Sequence, residues 1–438
     1  MATVGSAVGL GNIWRFPYMT GENGGAAFIF IYIICILLLG LPVMITEFFI
    51  GRHTHRNAAG AFKILSPGSK WSFIGYNGVL AAFLILGYYC VVAGWTFEYI
   101  AQAVMGNLSG KSAAEFEADF QAFSSNIWRP ILWTVAFVVT THIIIVSGVK
   151  KGIERSSKFM MPLLFLILVI LCIRSVTLPG AMDGLTFLFK PDFSKINSSV
   201  VLSAMGQAFF SLSIGMGCLI TYSSYFSKKT NLQRTAVEVT ILDSLVAILA
   251  GIMIFPAAFS FGIQPTAGPE LVFITLPNVF GKMALGGIWS FIFFVLLAVA
   301  ALTSTISLHE VATSYMLEEH KMSRKKAALL VSCGILILGV ISSLSVGIWK
   351  GYTLFGLNFF NLLDYVTAKI MLPFGGMLIC IFVGRRIDRK ILKSELTNND
   401  TITFHFFNTY AFFMKYIAPV AIGLIFLNET GLFKLFIA

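Results

Sequence analysis

Apolar runs of about 20 residues recur along almost the whole chain, and this repetition restricts the fold more than any other feature. A run of that length crosses a hydrocarbon core roughly 30 Å thick as an α-helix. Inside lipid every backbone N–H and C=O must be paired within the protein, so only helices and closed barrels can span it. The weak alternation of barrel strands is absent. Eleven candidate spans lie near 3–18, 24–51, 72–103, 129–147, 158–178, 198–225, 235–262, 286–317, 325–348, 358–384 and 410–437. With 57% hydrophobic and only 12% charged residues among 438, the chain reads as one all-α integral membrane domain over 1–438.

The formal net charge of +11 would by itself be compatible with nucleic-acid binding, but the placement of the charges excludes that reading. Lys and Arg cluster in alternate loops: Arg52, Arg56, Lys63 and Lys70, then Lys150, Lys151, Arg155 and Lys158. Further groups are Lys228, Lys229 and Arg234, then Lys321, Arg324, Lys325 and Lys326, then Arg385, Arg386, Arg389, Lys390 and Lys393. The loop near 105–127 instead carries Glu115, Glu117 and Asp119. This positive-inside pattern predicts a multi-pass protein of the plasma membrane with a cytoplasmic N-terminus and, given an odd number of spans, an extracellular C-terminus. The six cysteines (Cys35, Cys90, Cys172, Cys218, Cys333, Cys380) fall in apolar spans without a CxxC and read as packing residues. "HEVAT" at 309–313 lacks the second His of a zinc-protease motif, so His309 and Glu310 are not expected to form one. With no phosphate loop and no nucleophile elbow, an enzyme is not expected.

Two spans break the rules of a membrane helix. In "VGSAVGLGNIWRFPY" (4–18), Gly5, Gly9 and Gly11 each weaken a helix by about 1 kcal/mol relative to Ala. Asn12 and Arg15 are polar there, and Pro17 removes a backbone donor. "SLSIGMGCLITYSSY" (211–225) repeats the interruption in the sixth span. Glycines also serve close helix packing. Two matched interruptions, however, point to an inverted-repeat transporter with its site at the midplane. The repeats would be spans 1–5 (about 1–178) and spans 6–10 (about 198–388), with 410–437 as an added span. Unwound backbone in lipid costs several kcal/mol per unpaired group, so something must use it. Free carbonyls suit Na⁺, and half-helix N-termini suit a carboxylate.

"GSAVGLGNIWRFPY", "GENGGAAF", "GQAFFSLSIGMG", "ALTSTIS" and "AGPELVFITLP" together resemble the neurotransmitter:sodium symporter family, above all its bacterial eleven-span amino-acid transporters. The resemblance runs from residue 1 to about 425. It implies sodium-coupled symport by alternating access across the bacterial inner membrane. The first sodium site it implies comprises the Ala7 carbonyl, Asn12, Ser211, Asp243 and the substrate carboxylate. The second comprises the Gly5, Val8 and Ala300 carbonyls with the Thr303 and Ser304 hydroxyls. All are hard oxygen donors, as a monovalent cation of this kind requires. The implied substrate-binding residues are Ala7, Gly9, Gly11, Ile85, Tyr89, Phe210, Ser211, Ser213, Met216, Ser304 and Leu308. Tyr89 would donate to the substrate carboxylate, and carbonyls near Phe210 and Ser213 would accept from its ammonium. Ile85, Phe210, Met216 and Leu308 would receive the apolar side chain. Met216 replaces an aromatic common in the family; unless it is plain core filling, its adaptable thioether favours a bulky hydrophobic or aromatic L-amino acid.

The resemblance also implies gates. Arg15 and Asp364 would pair on the outer side, with Gln207 bracing Arg15 and Phe210 capping the substrate. Tyr225 and Glu318 would belong to the inner gate. Glu47 would support unwound amides, and Lys369 has no assigned role. The family carries further residues before "VGSAVG", including an Arg that pairs with the inner acid; restoring such residues is expected to raise concentrative uptake. Asp243 and Ala247 stand where chloride-dependent members have a neutral Asn and, nearby, a Ser. Chloride-independent transport is therefore expected, with Asp243 taking up a proton when sodium leaves. Sodium ions are the only cofactor-like partners expected, beside a small amino-acid substrate and the lipid bilayer, and no nucleic acid. The alternatives are a sodium-dependent amino-acid-binding receptor that does not cycle, a symporter for another small zwitterion, and a cation channel.

Overall fold

A computed structural model of the chain describes residues 2–262 and 271–431. Met1, residues 267–270 of the "AGPELVFITLP" motif and 432–437 of the expected last span lie outside the described residues. Among the described residues the regular structure is helical, with one isolated bridge between Leu354 and Leu357. Nine helices among them are long and apolar enough to cross a membrane, from Ala26–Thr54 to Phe407–Asn428. The other two expected spans are the interrupted ones, each divided into shorter helices. The first consists of Ala2–Ala7, a π-turn at Gly11–Arg15 and Phe16–Glu22, with its break at Val8 and Gly9. The sixth consists of Ser198–Ser211 and Cys218–Ser223, separated by the non-helical residues 212–217.

The outer surface follows from the solvent. Leu37, Leu38, Leu166, Ile173 and Ile337 are exposed on long apolar helices, as side chains facing lipid should be. All six cysteines are free; five are buried and Cys333 is exposed.

Two long helices provide the wall behind the breaks. Ser72–Val104 and Gly286–Glu319 have 33 and 34 residues. At 1.5 Å per residue each reaches about 50 Å, which exceeds the hydrocarbon core and calls for tilt. They pack directly against each other, and the first half-helix Ala2–Ala7 rests on the second of them. The helix ending at Thr54 packs on Cys218–Ser223. That contact depends on Gly51, where a Cβ would lie 2.0 Å from the Ile220 carbonyl oxygen. The obstacle is backbone and cannot rotate away.

Replacing Gly51 by Ala should therefore lower stability by about 1–3 kcal/mol through overpacking. Gly351 has open space around it, so Gly351→Ala is the control. Thermal unfolding in detergent should show a lower midpoint for the first variant and an unchanged one for the second.

Candidate functional site

The two helix breaks meet each other. Ser213 Oγ donates to the Ser6 carbonyl at 2.8 Å and ties the sixth span to the first. The second break turns through left-handed backbone at Ser213, Gly215 and Gly217, with φ of 56°, 84° and 75°. At Gly215 a Cβ would also lie 2.5 Å from the Leu372 carbonyl oxygen, so the turn needs glycine twice over. The amide it frees does not go unpaired: Gly215 N donates to Glu47 Oε1 at 2.7 Å, and Glu47 is fully buried.

Beside the first break lies a buried oxygen cluster. Asp243 Oδ1 accepts from Asn12 Nδ2 at 2.7 Å, and Asp243 Oδ2 accepts from Ser211 Oγ at 2.7 Å. Asn12 Nδ2 also lies 3.2 Å from Ser211 Oγ, and Asn12 Oδ1 accepts from Gly9 N at 3.0 Å. Tyr32, absent from the sequence reading, donates to Ser211 Oγ at 3.3 Å and packs its ring on Phe16. Asp243 is 0% exposed and its side-chain partners here are neutral, so a cation is the group that would balance its charge. A second cluster forms where Thr303 Oγ1 donates to the carbonyls of Val8 at 3.1 Å and Ala300 at 2.8 Å. Gly5 lies against Thr303, with its Cβ position 3.5 Å from Thr303 Cβ. The Ser304 hydroxyl turns away from this group toward Gly9, where a Cβ would be 2.1 Å from Ser304 Oγ. Both clusters offer oxygen donors and no soft ligand, and this donor set fits a hard monovalent cation.

Between the breaks and the two long helices is a narrow cavity. Ala7, Gly9, Gly11, Ile85, Tyr89, Phe210, Ser211, Ser213, Met216, Ser304 and Leu308 all line it. Ser6, Cys218 and Ser307 line it as well and were missed in the sequence. Ser307 stands one helical turn after Ser304, a spacing that could have revealed it. One end is polar: the Tyr89 hydroxyl accepts from Leu10 N at 3.3 Å, which leaves its own proton to donate. Ile85, Phe210, Met216 and Leu308 give the cavity its apolar wall.

The sequence pattern of the Sodium:neurotransmitter symporter family matches residues 1–123 and 111–434. The chain belongs to that family. It is a sodium-dependent membrane transporter and not an enzyme. It is 39% identical to the sodium-dependent transporter YhdH of Bacillus subtilis (strain 168), over 99% of this chain and 96% of that one. A sodium-dependent transporter of Haemophilus influenzae is 41% identical over 98% of this chain and 96% of its own length. Among solved structures, MhsT in complex with L-phenylalanine is 45% identical, with a TM-score of 0.90 over 98% of this chain and 97% of that one.

The residues expected to form the gates take partners other than those expected. Arg15 lies over the Phe210 ring, 4.2 Å from its centroid, and no ion pair joins it to Asp364. Asp364 instead accepts from the Tyr88 hydroxyl at 3.0 Å. Gln207 is fully buried and neither of its side-chain amide atoms has a hydrogen-bond partner among the described residues, so it does not brace Arg15. On the other side Tyr225 donates to Glu310 Oε1 at 2.8 Å, not to Glu318. Glu310 is buried and is neutralised by Arg324, which also donates to the Ile145 carbonyl. A buried carboxylate requires such a cation, and that requirement draws Arg324 inward. Glu318 is held at the helix end by Asn57, whose backbone N and Nδ2 both donate at 2.9 Å. Glu310 was visible as an acid inside a span, a default mark of function. His309 beside it bonds Thr313 and Ser332, and no metal-binding group of three appears among the described residues. Lys369 stands 5.5 Å from the Tyr365 ring centroid.

Asp243→Asn removes the charge and keeps the shape. Sodium-dependent stabilisation of the variant should require about tenfold more sodium, a change of about 1.4 kcal/mol. Melting curves across a sodium titration measure it, with potassium as the ionic-strength control.

Proposed function

We propose that this protein couples the inward movement of sodium ions to uptake of a bulky hydrophobic or aromatic L-amino acid, by alternating access and without chloride. The observation that carries the reading is the cavity between the two helix breaks, polar at Leu10 N and Tyr89 and apolar at Ile85, Phe210, Met216 and Leu308. A zwitterion with an apolar side chain matches that polarity end for end. The related MhsT, solved with L-phenylalanine, supports the same substrate class.

In this mechanism sodium binds at both oxygen clusters. The first would use Ala7, Asn12, Ser211 and Asp243; the second would use Gly5, Val8, Ala300 and Thr303, joined by Ser304 if its hydroxyl rotates. The cations hold the unwound segments in one arrangement, and the substrate carboxylate completes the first cluster, which makes the two binding events interdependent. One charge crossing 100 mV is worth about 2.3 kcal/mol. Two sodium ions moving with a neutral zwitterion carry about 4.6 kcal/mol from voltage alone, over a thousandfold gradient at roughly 1.4 kcal/mol per tenfold. The basic loops assign the N-terminus to the cytoplasm and the C-terminus to the outside. Spans 1–5 and 6–10 act as two inverted repeats that rock around the cavity.

Gly9 sets the substrate class. A Cβ there would collide with Ser304, so the pocket has no side-chain carboxylate at this point, and the substrate must bring its own. Tryptophan should bind in the presence of sodium, and its decarboxylated analogue tryptamine should not. Equal displacement of a bound amino acid by both compounds would overturn the assignment.

Chloride independence rests on Asp243, a fixed negative charge beside the first cluster, and on Ala247, which is buried and has no hydroxyl to hold an anion. Uptake into proteoliposomes should be unchanged when chloride is replaced by gluconate. A collapse of uptake in gluconate would show that Asp243 does not substitute for the anion.

A further inference from the structure

Away from the transport cavity, a basic cleft opens where three cytoplasm-assigned segments converge. Arg52 and His53 close the helix Ala26–Thr54, Lys228 lies in the loop after Cys218–Ser223, and Lys390, Ile391 and Glu395 belong to the short helix Arg389–Leu396. Glu395 is the hub. Arg52 Nε donates to Glu395 Oε1 at 2.7 Å, and its terminal nitrogens bond the Thr230 and Glu395 carbonyls. His53 Nδ1 lies 3.0 Å from Glu395 Oε2. Burial alone would push the Glu395 carboxyl up, but His53, Arg52 and Lys228 draw it down to about 2. The acid is therefore ionised, and the buried Arg52 already balances it.

That leaves two ammonium groups in surplus. Lys228 reaches the same carboxylate only at 3.5 Å and is 58% exposed. Among the described residues no ion pair joins Lys390 to an acid. Ile391, 45% exposed, lines the same cleft beside these lysines, on a helix whose Leu392 and Leu396 are buried against the protein. The helices on either side that are long and apolar enough to cross a membrane end at Thr54 and Arg386, which would bring the cleft close to the headgroups.

We propose that this cleft binds the phosphate headgroup of an anionic phospholipid, with Lys228 and Lys390 meeting the phosphate and Ile391 meeting the start of an acyl chain. A free phosphate shares the charge chemistry but has no use for Ile391. The lipid would bridge the end of the second span, the loop after the sixth and the helix after the tenth. The first two of these adjoin the spans that carry Glu47 and the second break, so the headgroup would bear on the packing of the site. The inference rests on the cytoplasmic assignment of the basic loops and is independent of which substrate is carried.

The test uses the full chain, purified from vesicles of mixed phosphatidylcholine and phosphatidylglycerol and measured by native mass spectrometry. Wild-type protein should retain phosphatidylglycerol in preference to phosphatidylcholine. K228Q/K390Q should retain it about thirty-fold less, from two lysine–headgroup attractions lost together. K228R/K390R should retain it as wild type does, and so should K150Q/K151Q, which removes two exposed lysines from a different basic loop. Undiminished retention in K228Q/K390Q, or an equal loss in K150Q/K151Q, would overturn the site in favour of diffuse surface charge. Inorganic phosphate alone is the second probe. If it raises the melting temperature of wild type but not of K228Q/K390Q, while phosphatidylglycerol is not retained, the cleft is a free-phosphate site and the lipid assignment fails. Sodium-driven uptake in the same vesicles reports on the transport reading separately, because retention of lipid does not require turnover.

Discussion

Unpaired backbone inside a membrane is the constraint on which the rest of this structure depends. A straight helix satisfies its own amides and carbonyls; the first and sixth spans do not. Several groups freed at the described breaks have found side-chain partners. Glu47 takes Gly215 N, Asn12 takes Gly9 N, Tyr89 takes Leu10 N, Thr303 takes the Val8 carbonyl and Ser213 takes the Ser6 carbonyl. All of these bonds but that of Asn12 join segments far apart in sequence. The breaks are thus the points at which the bundle is stitched together, and the same points carry the oxygen donors that can hold ions.

Buried charge follows the same logic. Glu310 is matched by Arg324, and Arg52 by Glu395, each across separate segments. Removing one partner of such a pair leaves an uncompensated buried charge, which costs far more than the pair itself contributes. Asp243 differs, since its immediate side-chain partners are the neutral Asn12 and Ser211. A carboxylate in that setting favours a mobile cation over a fixed one. A transporter needs that property, because a permanent Arg or Lys partner would compete with the ion to be carried.

The residues expected to form the gates show how far a resemblance between sequences leads. Tyr225 and Glu318 were grouped through a resemblance to relatives, yet their side chains bond Glu310 and Asn57 respectively. Arg15 and Asp364 do not pair, the one stacked on Phe210 and the other bonded to Tyr88. Charged side chains are long and choose among several neighbours within a few ångströms. Which neighbour wins depends on burial and on the competing donors, and neither is encoded locally.

By itself the sequence determined the membrane class, the helical spans, the two breaks and the residue types around them, because span length, glycine and proline interruptions and oxygen-bearing side chains are local properties. The pocket residues were named only through a resemblance to relatives whose packing is already known. The tertiary structure decided which atoms meet: the bond from Ser213 to Ser6, the turn of Ser304 toward Gly9, the entry of Tyr32 and Ser307, and the capture of Glu310 by Arg324. Those contacts join separate segments, most of them far apart in the chain, and they are fixed by close packing and by the cost of leaving a buried polar group alone.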